Sequence, residues 1–548
     1  MSAKRTGQRR LPREGVGQSA HGWEAAAVAA LAIAVSVSSL RVPFVWDDVT
    51  VIVRNDHLRD VGNLKDLFSR TRYFARYGEM SYRPVVTFSY FVDEVFWGRE
   101  PRWGLRAPLH HVHNVILHAL CAVLVFWVAR VVASGRWVPL AAGALFAVHP
   151  IQTEAVNAVC FREDLQCAAL TLAALLAMRR AARSRRFVLW AVLSALCALA
   201  AGLAKETALV LPLMGILFDA SCPDRRAVPT LRRLEAWASV AAGTVAYSVI
   251  RFVLMPAEGV PASVANWPLT FAEAFARYFR LIAFPIHQGV VHEVAGSALA
   301  VVVIVAFAAG AGWAWWRKRG VGFGLATFWL ALVPVSGAVP IAQLMAERYL
   351  YLPMAGLSVA VGEAVFGTRS QSGRVPGCVK GILYGLVVAM FSLLTVTRTS
   401  HWTSDYALWS AALKVRPRNV TVMNNLGKGY SRAALLESGP ARRGLLLKGI
   451  SQWKRAAELD EEQGMPYLNV ATTYAMLGEH EMAALHYERA LARLGAGLAR
   501  RDAFIRLAKS RLALGDRAGA ANALERALRE WPQDEDLRRR LGAVRGGY

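Results

Sequence analysis

The chain is short of charge. Asp, Glu, Lys and Arg make up only 19% of its 548 residues, against 55% hydrophobic. That balance excludes a single soluble globular domain and fits a polytopic membrane protein with a polar appendage. Its six cysteines (Cys121, Cys160, Cys167, Cys197, Cys222 and Cys378) show no Cys-x-x-Cys and no zinc-site or disulfide-framework spacing, so they read as packing residues. A glycine-rich phosphate cradle is also missing, so no nucleotide-binding loop is expected. Acids are scarcer than bases, leaving a formal charge of +25. The basic clusters recur between apolar runs, where anionic headgroups lie, so they point to membrane topology and no nucleic-acid partner is expected.

What the chain has is apolar runs of membrane-crossing length, about 17–25 residues. They lie near residues 23–40, 112–133, 137–157, 165–179, 187–204, 207–221, 236–255, 297–316, 321–340, 350–367 and 381–398, giving about 11 transmembrane helices. Residues 1–22 form a basic tail, with Lys4, Arg5, Arg9, Arg10 and Arg13. Arg41-Val-Pro-Phe lacks a small-residue cleavage pattern, so the first run is expected to remain as a span. With the N-terminus cytoplasmic, every inner connection is basic: Arg130 to Arg136, Arg179 to Arg186, Asp224 to Arg233, Arg317-Lys318-Arg319, and Arg369 through Arg374 to Lys380. The alternate connections hold most of the acidic residues near the membrane. An odd span count then sends the region after about residue 400 to the same outer side as Asp47.

That region, 401–548, repeats. Val470-Ala471-x-x-Tyr474, Gly478, Ala483, Tyr487 and Ala490 recur as Leu507-Ala508-x-x-Arg511, Gly515, Ala520, Leu524 and Ala527. Leu426-Gly427-x-x-Tyr430 with Trp453 and Ala456 is an earlier copy. Small residues at fixed positions let paired helices pack closely, the pattern of tetratricopeptide repeats (TPR). Such an array offers a docking surface for a protein partner.

The chemistry is expected in the outer connections of the membrane domain, 23–400, whose largest outer loop is 41–111. Asp47 and Asp48 follow the first span. A carboxylate pair there can deprotonate a hydroxyl, hold a divalent cation, or mark the water boundary. Outward polar residues further on are Arg83, His111, Asn114, His118, His149, Glu154, Arg162, Asp164, Lys205, Glu206, Glu347 and Arg348. Their concentration on one side suggests a site. His111, Asn114 and His118 share one helix face without a carboxylate partner, so hydrogen bonding is expected there and no metal. Two segments, Leu64 to Tyr77 and Phe271 to Phe284, interleave aromatic residues with Arg and are expected to lie flat at the interface or to pack as ordinary loops.

The motifs then fall in order: Val45-Trp46-Asp47-Asp48, Ser81-Tyr82-Arg83-Pro84, His111-Val-His-Asn114-Val-Ile-Leu-His118, His149-Pro-Ile-Gln-Thr-Glu154, Arg162-Glu-Asp164, Ala204-Lys205-Glu206 and Ala346-Glu347-Arg348-Tyr-Leu-Tyr-Leu-Pro353. Together they resemble the successive motifs of the transmembrane and TPR-containing O-mannosyltransferases. The resemblance implies an all-α GT-C glycosyltransferase fold and a polyprenyl-phosphate-linked, mannose-like donor. It also implies a hydroxyl acceptor on protein or glycan, and a catalytic carboxylate at Asp47 or Asp48. The chain departs from that family in its short repeat array and in Gln152, where His is common.

On this reading an Asp acts as base, and Arg83, Arg348 and Lys205 hold the donor phosphate. Sugar or acceptor contacts, or support for them, fall to His111, Asn114, His118, His149, Glu154, Arg162, Asp164, Glu206 and Glu347. No cofactor is required, although a divalent cation is compatible with the carboxylates. A bacterial inner membrane is expected, with the repeats in the periplasm. The rival readings are a non-enzymatic TPR scaffold and a transferase of lipid-linked oligosaccharide.

Overall fold

The computed structural model describes residues 22–77, 82–97, 103–255, 267–286, 288–338, 341, 343–368 and 376–546. The basic N-terminal tail and the connection from Arg369 through Arg374 lie outside the described residues. Among these residues every regular element is helical. The chain divides into two units. The membrane unit takes residues up to Arg41, Asp47–Pro285 and Val294–Thr399; the repeat unit takes Val42–Trp46, Ile286–Glu293 and Ser400 onward.

The membrane unit runs α1 (Gly22–Ser36), α2 (Arg70–Tyr77), α3 (Pro84–Trp97), α4 (Trp103–Val132), α5 (Val138–Val148), α6 (Thr153–Asn157), α7 (Arg162–Arg183) and α8 (Phe187–Ala204). It continues with α9 (Leu211–Ser221), α10 (Thr230–Val249), α11 (Trp267–Ala283), α12 (Ala298–Arg317), α13 (Arg319–Leu332), α14 (Tyr351–Phe366) and α15 (Gly377–Thr399). Eight helical stretches among the described residues are long and apolar enough to cross a membrane. Only 11% of the most apolar window is buried in both Ala298–Arg317 and Gly377–Trp402. Leu299, Val302, Leu383, Leu386 and Leu393 are exposed there, an arrangement suited to lipid. The chain is a multi-pass membrane protein.

Three expected spans take a different form. The run 137–157 breaks at His149 (ψ 125°), because Pro150 drives the residue before it out of the helical region. The run 207–221 divides into a 3-10 turn, Glu206–Val210, and the 11-residue α9. The run 321–340 gives an apolar helix over Arg319–Val335. The expected count of about 11 therefore requires all three of these shorter helices to cross, and the outer placement of residues after 400 requires one or all three.

Hydrogen bonds show which helix ends meet. Ser39, just past α1, donates to Asn157 at 2.6 Å, and Asn157 donates to Thr399 at the end of α15 at 3.2 Å. Thr395 donates to the carbonyl of Val148, the last residue of α5, at 2.7 Å. The chain thus leaves the bundle at the end that it reaches after α1. At other helix ends, Asp219 takes Arg225 and Arg233, and Asp224 takes Arg179 and Arg183, so each acid neutralises part of a basic connection.

Helices α13 and α14 cross glycine to glycine. A methyl on Gly356 would stand 2.5 Å from the Gly324 carbonyl oxygen, and one on Gly324 would meet the Gly356 carbonyl. Since both obstacles are backbone, Gly324→Ala is expected to destabilise by about 1–3 kcal/mol, read as a lower unfolding temperature in detergent.

Both amphipathic segments pack inward. Tyr73 on α2 is fully buried, 4.9 Å from the Tyr82 ring, and its hydroxyl accepts the Arg83 N–H at 3.0 Å. On α11, Phe275 packs against Phe307 and Trp329, and the Tyr278 hydroxyl donates to the Ala346 carbonyl at 3.1 Å. Burial of ring area outweighs placement at headgroup depth, and each tyrosine fixes the backbone of a motif.

In the repeat unit, α16 (Asp405–Val415) precedes three helix pairs: α17 (Val420–Ala434) with α18 (Gly439–Leu459), α19 (Gly464–Met476) with α20 (His480–Leu491), and α21 (Leu498–Ala513) with α22 (Arg517–Glu530). The stack ends in α23 (Glu535–Gly546). Gly478 and Gly515 close α19 and α21 in the left-handed conformation, with φ of 78° and 79°. Gly427 lies against the Trp453 indole, where a side chain would collide.

His486 on α20 is buried and stacks on Tyr474 with centroids 5.6 Å apart. Burial, with Arg489 and Lys454 nearby, pushes its pKa down to about 4. The unfolded imidazole takes up a proton below about 6.5, while the folded one stays neutral to about 4. Stability of the stack is therefore full above the unfolded value and is lost as pH falls through this window. Protection of α20 amides from hydrogen exchange, corrected for intrinsic rates, should fall over that range in wild type and not in His486→Phe.

Candidate active site

The site is built where α1, α5 and α8 end and α7 and α14 begin. Asp47 is exposed, whereas Asp48 is fully buried. The Asp48 carboxylate accepts the Cys160 backbone N–H at 2.8 Å, tying this loop to the turn ahead of α7. The Asp47 carbonyl accepts the N–H groups of Thr50 and Val51 at 3.0 and 2.9 Å, starting a single π turn over Val49–Val53.

Arg162, Glu163 and Asp164 open α7, and consecutive helix positions point about 100° apart, so the three serve different surroundings. Arg162 is fully buried and donates to Asn114 at 2.7 Å, Ser89 at 3.1 Å and the His110 carbonyl at 3.0 Å, and it pairs with Asp93 at 2.6 Å. It rivets α3, α4 and α7 together. Asn114 also donates to the Val156 carbonyl at 3.2 Å.

Two groups of ion pairs lie on the other faces, one through Glu163 and one between Arg348 and Glu154. The Lys205 ammonium meets Asp164 at 2.6 Å and Glu163 at 3.1 Å, and lies 5.2 Å from the Tyr349 ring. Arg83 pairs with Glu163 and, at 3.2 Å, with Glu206, which also faces Arg251 at 3.8 Å. Arg348 pairs with Glu154, donates to Gln343 at 2.7 Å, and stands 4.0 Å from the Phe161 ring centroid. Burial opposes charge on Glu206, yet the Arg83 guanidinium holds its carboxyl below the usual carboxylate range. Burial likewise opposes charge on Lys205, and Asp164 and Glu163 hold its ammonium above its ordinary value. Both are charged at neutral pH.

The three cations assigned to phosphate thus come together, already paired with carboxylates assigned to sugar. Glu154 and Asp164 orient Arg348 and Lys205. The expected histidines fall elsewhere. His118 bridges the Tyr351 hydroxyl (2.9 Å) and the Ala147 carbonyl (3.0 Å), so both ring nitrogens are used. His149 accepts the Ile151 N–H at 3.2 Å and lies 3.1 Å from the Ile282 carbonyl, capping the turn made by Pro150. His111 and Glu347 are fully buried. Among the described residues no group of three His, Cys, Asp or Glu side chains is placed to hold a metal ion.

Sequence reasoning missed Glu163, which joins the Arg83 and Lys205 halves of the network. It also missed the Asp93–Glu94 pair on α3, which meets His113 at 3.0 Å and His110 at 3.4 Å. Alternating charge in Arg-Glu-Asp was the available signal for Glu163.

No family model matches the chain. Curated relatives do. The mouse protein O-mannosyl-transferase TMTC3 is 24% identical over 505 residues, covering 82% of this chain and 52% of the mouse protein. Human TMTC4 is 25% identical over 483 residues, covering 75% and 64%, and Drosophila melanogaster Tmtc1 is 36% identical over 207 residues, covering 37% and 23%. The chain spans about half the length of the TMTC3 relatives it matches. Among solved structures, ArnT from Cupriavidus metallidurans bound to undecaprenyl phosphate aligns over 87% of this chain and 81% of that one, at 15% identity and a TM-score of 0.33. The Archaeoglobus fulgidus oligosaccharyltransferase aligns over 77% and 60%, at 13% identity and a TM-score of 0.36. A Thermus thermophilus TPR protein aligns over 30% and 94%, at 22% identity and a TM-score of 0.22.

The class is that of helical, multi-pass membrane proteins carrying a tetratricopeptide stack. Within it, the chain's homologues are the transmembrane and TPR-containing O-mannosyltransferases, matched over most of its length at about a quarter identity.

Proposed function

We propose that the chain is a glycosyltransferase that moves mannose, or a closely similar sugar, from a polyprenyl phosphate to a hydroxyl of a protein acceptor, with inversion at the anomeric carbon. The observation that carries this reading is an exposed carboxylate, Asp47, next to a buried one fixed by a backbone N–H. Asp47 takes the acceptor proton as the hydroxyl oxygen forms its bond to the anomeric carbon. The bond from that carbon to the phosphate oxygen breaks, and the polyprenyl phosphate leaves with the electron pair.

Arg83, Lys205 and Arg348 stabilise the leaving phosphate. Their carboxylate partners hold the donor groups in place before the substrate arrives, so little reorganisation accompanies the reaction. The repeats, on this reading, share the aqueous compartment of Asp47 and present acceptor proteins. The compartment is the periplasm, the membrane a bacterial inner membrane, and the N-terminus is cytoplasmic.

The test is transfer from a panel of radiolabelled polyprenyl-phosphate monosaccharides into protein, in membranes containing the full chain. Label from the mannosyl donor, released from protein by mild alkali as expected of a Ser or Thr linkage, supports the reading. Label from no donor, while the repeats retain a defined partner, would replace it with a scaffold.

A further inference from the structure

In the span Thr230–Leu254 two buried donors find no acceptor among the described residues: the Tyr247 hydroxyl and Arg251 Nε. Tyr247 is fully buried, its ring packed on Gly202 of α8, where a methyl would stand 2.3 Å from Cγ. The Arg251 side chain is 12% exposed, and its Nε faces Glu206 at 3.8 Å, beyond hydrogen-bond reach. Its Nη1 donates to the Met255 carbonyl at 3.1 Å. Residues four apart share a helix face, and the charges of Glu206, Arg251 and Arg83 all reach the tyrosine hydroxyl. Both donors therefore lie beside Glu206.

They also lie at the edge of the bundle. Arg251 belongs to a π turn, Ile250–Leu254, closed by the Met255 N–H on the Ile250 carbonyl at 2.8 Å, and π turns gather at functional sites. The next residues, Phe252, Val253 and Leu254, are 56%, 69% and 60% exposed, a surface suited to lipid tails. Within four residues the chain passes from a guanidinium facing a carboxylate to side chains facing lipid. A buried donor left unsatisfied is costly, and two of them in one place call for a partner from outside the chain. That partner must supply acceptor oxygens and arrive from the lipid side. A phosphate ester on a lipid does both, and its oxygens suit an arginine beside a phenol.

We propose that Tyr247 and Arg251 form a subsite for a phosphate ester carried on a lipid, at the bilayer margin of the Glu206 ion pairs. Tyr247 donates to one phosphate oxygen and Arg251 Nε to another. The identity of the lipid rests on the transferase reading: there it is the polyprenyl phosphate, held at the margin by groups distinct from Lys205 and Arg348.

The experiment titrates the full chain, purified in detergent, with a sugar-free polyprenyl phosphate and reads the bound fraction by native mass spectrometry, so it needs no transfer. Tyr247→Phe and Arg251→Met are each expected to weaken binding by about 10–100-fold, the worth of a hydrogen bond to a charged group. Without lipid, Tyr247→Phe is expected to melt no lower than wild type, since its hydroxyl has no partner to lose. If Arg251→Met does not fold, Tyr247→Phe decides, because it removes only the hydroxyl. Unchanged affinity in Tyr247→Phe overturns the proposal, and a lower melting temperature beside it marks the hydroxyl as structural. Equal weakening for phosphatidylglycerol supports a lipid-phosphate subsite and overturns its assignment to the carrier. Inorganic phosphate bound as tightly as the polyprenyl phosphate overturns the need for a lipid. Sugar transfer, run alongside, separates the two levels. Weakened binding in a chain that transfers no sugar keeps the subsite and removes the transferase reading, whereas unchanged binding in a chain that transfers removes only the subsite.

Discussion

Replacing Asp47 by Asn lowers sugar transfer by about 10²–10⁴-fold, the usual contribution of a general base, and leaves folding intact. Asp47 is exposed, and Asn keeps its shape. The contrast with Asp48 makes the result diagnostic. Asp48 is fully buried and accepts the Cys160 N–H at 2.8 Å. Asp48→Asn preserves that acceptor and should cost less activity than Asp47→Asn. Asp48→Leu leaves a buried N–H unsatisfied, worth about 1–3 kcal/mol, and should lower the unfolding temperature. Transfer by both Asn variants at wild-type rate would remove the mechanism.

The second large effect is on stability. Glu154→Gln takes from the Arg348 guanidinium its paired carboxylate while leaving the contact with Gln343; the Arg348 side chain is 10% exposed beside a Glu154 that is 1% exposed. Breaking a buried pair from one side costs about 3–5 kcal/mol, whereas replacing both members with apolar residues of similar volume is often close to neutral. Glu154→Gln should therefore melt well below wild type in detergent, and Glu154→Leu combined with Arg348→Met should recover much of the loss. The double variant is expected to remain inactive if Arg348 serves the leaving phosphate as proposed. Recovery of both stability and transfer would show that Arg348 is a structural residue only.

The bundle and the stack were legible because their signals are periodic. Apolar runs near 112–133 and 187–204 appear as α4 and α8, and the spacing of Ala471, Gly478, Ala483 and Ala490 marks the helix pair α19–α20. Breaks in apolar runs were not, since His149 leaves the helix through the local effect of Pro150 inside an otherwise continuous hydrophobic stretch. Partnerships were legible only as residue types. Arg83 with Glu163, Lys205 with Asp164 and Arg348 with Glu154 join residues far apart in sequence, and no spacing encodes such a pairing. Tyr73 and Tyr278 look like interfacial aromatics in sequence because amphipathicity does not distinguish a protein core from a headgroup layer.

The brevity of α5 and α9 has a mechanical consequence. Each has 11 residues, about 16 Å of helix against a hydrocarbon layer of about 30 Å. A chain that crosses on helices of that length brings polar backbone ends inside the oily slab, so lipid tails must compress around it or water must reach inward. His149 and Glu206 flank those two short helices. On the proposed reading a carrier lipid then presents its headgroup sideways without being hauled out into solvent, and the thickness of the surrounding bilayer becomes a control on how readily that donor docks.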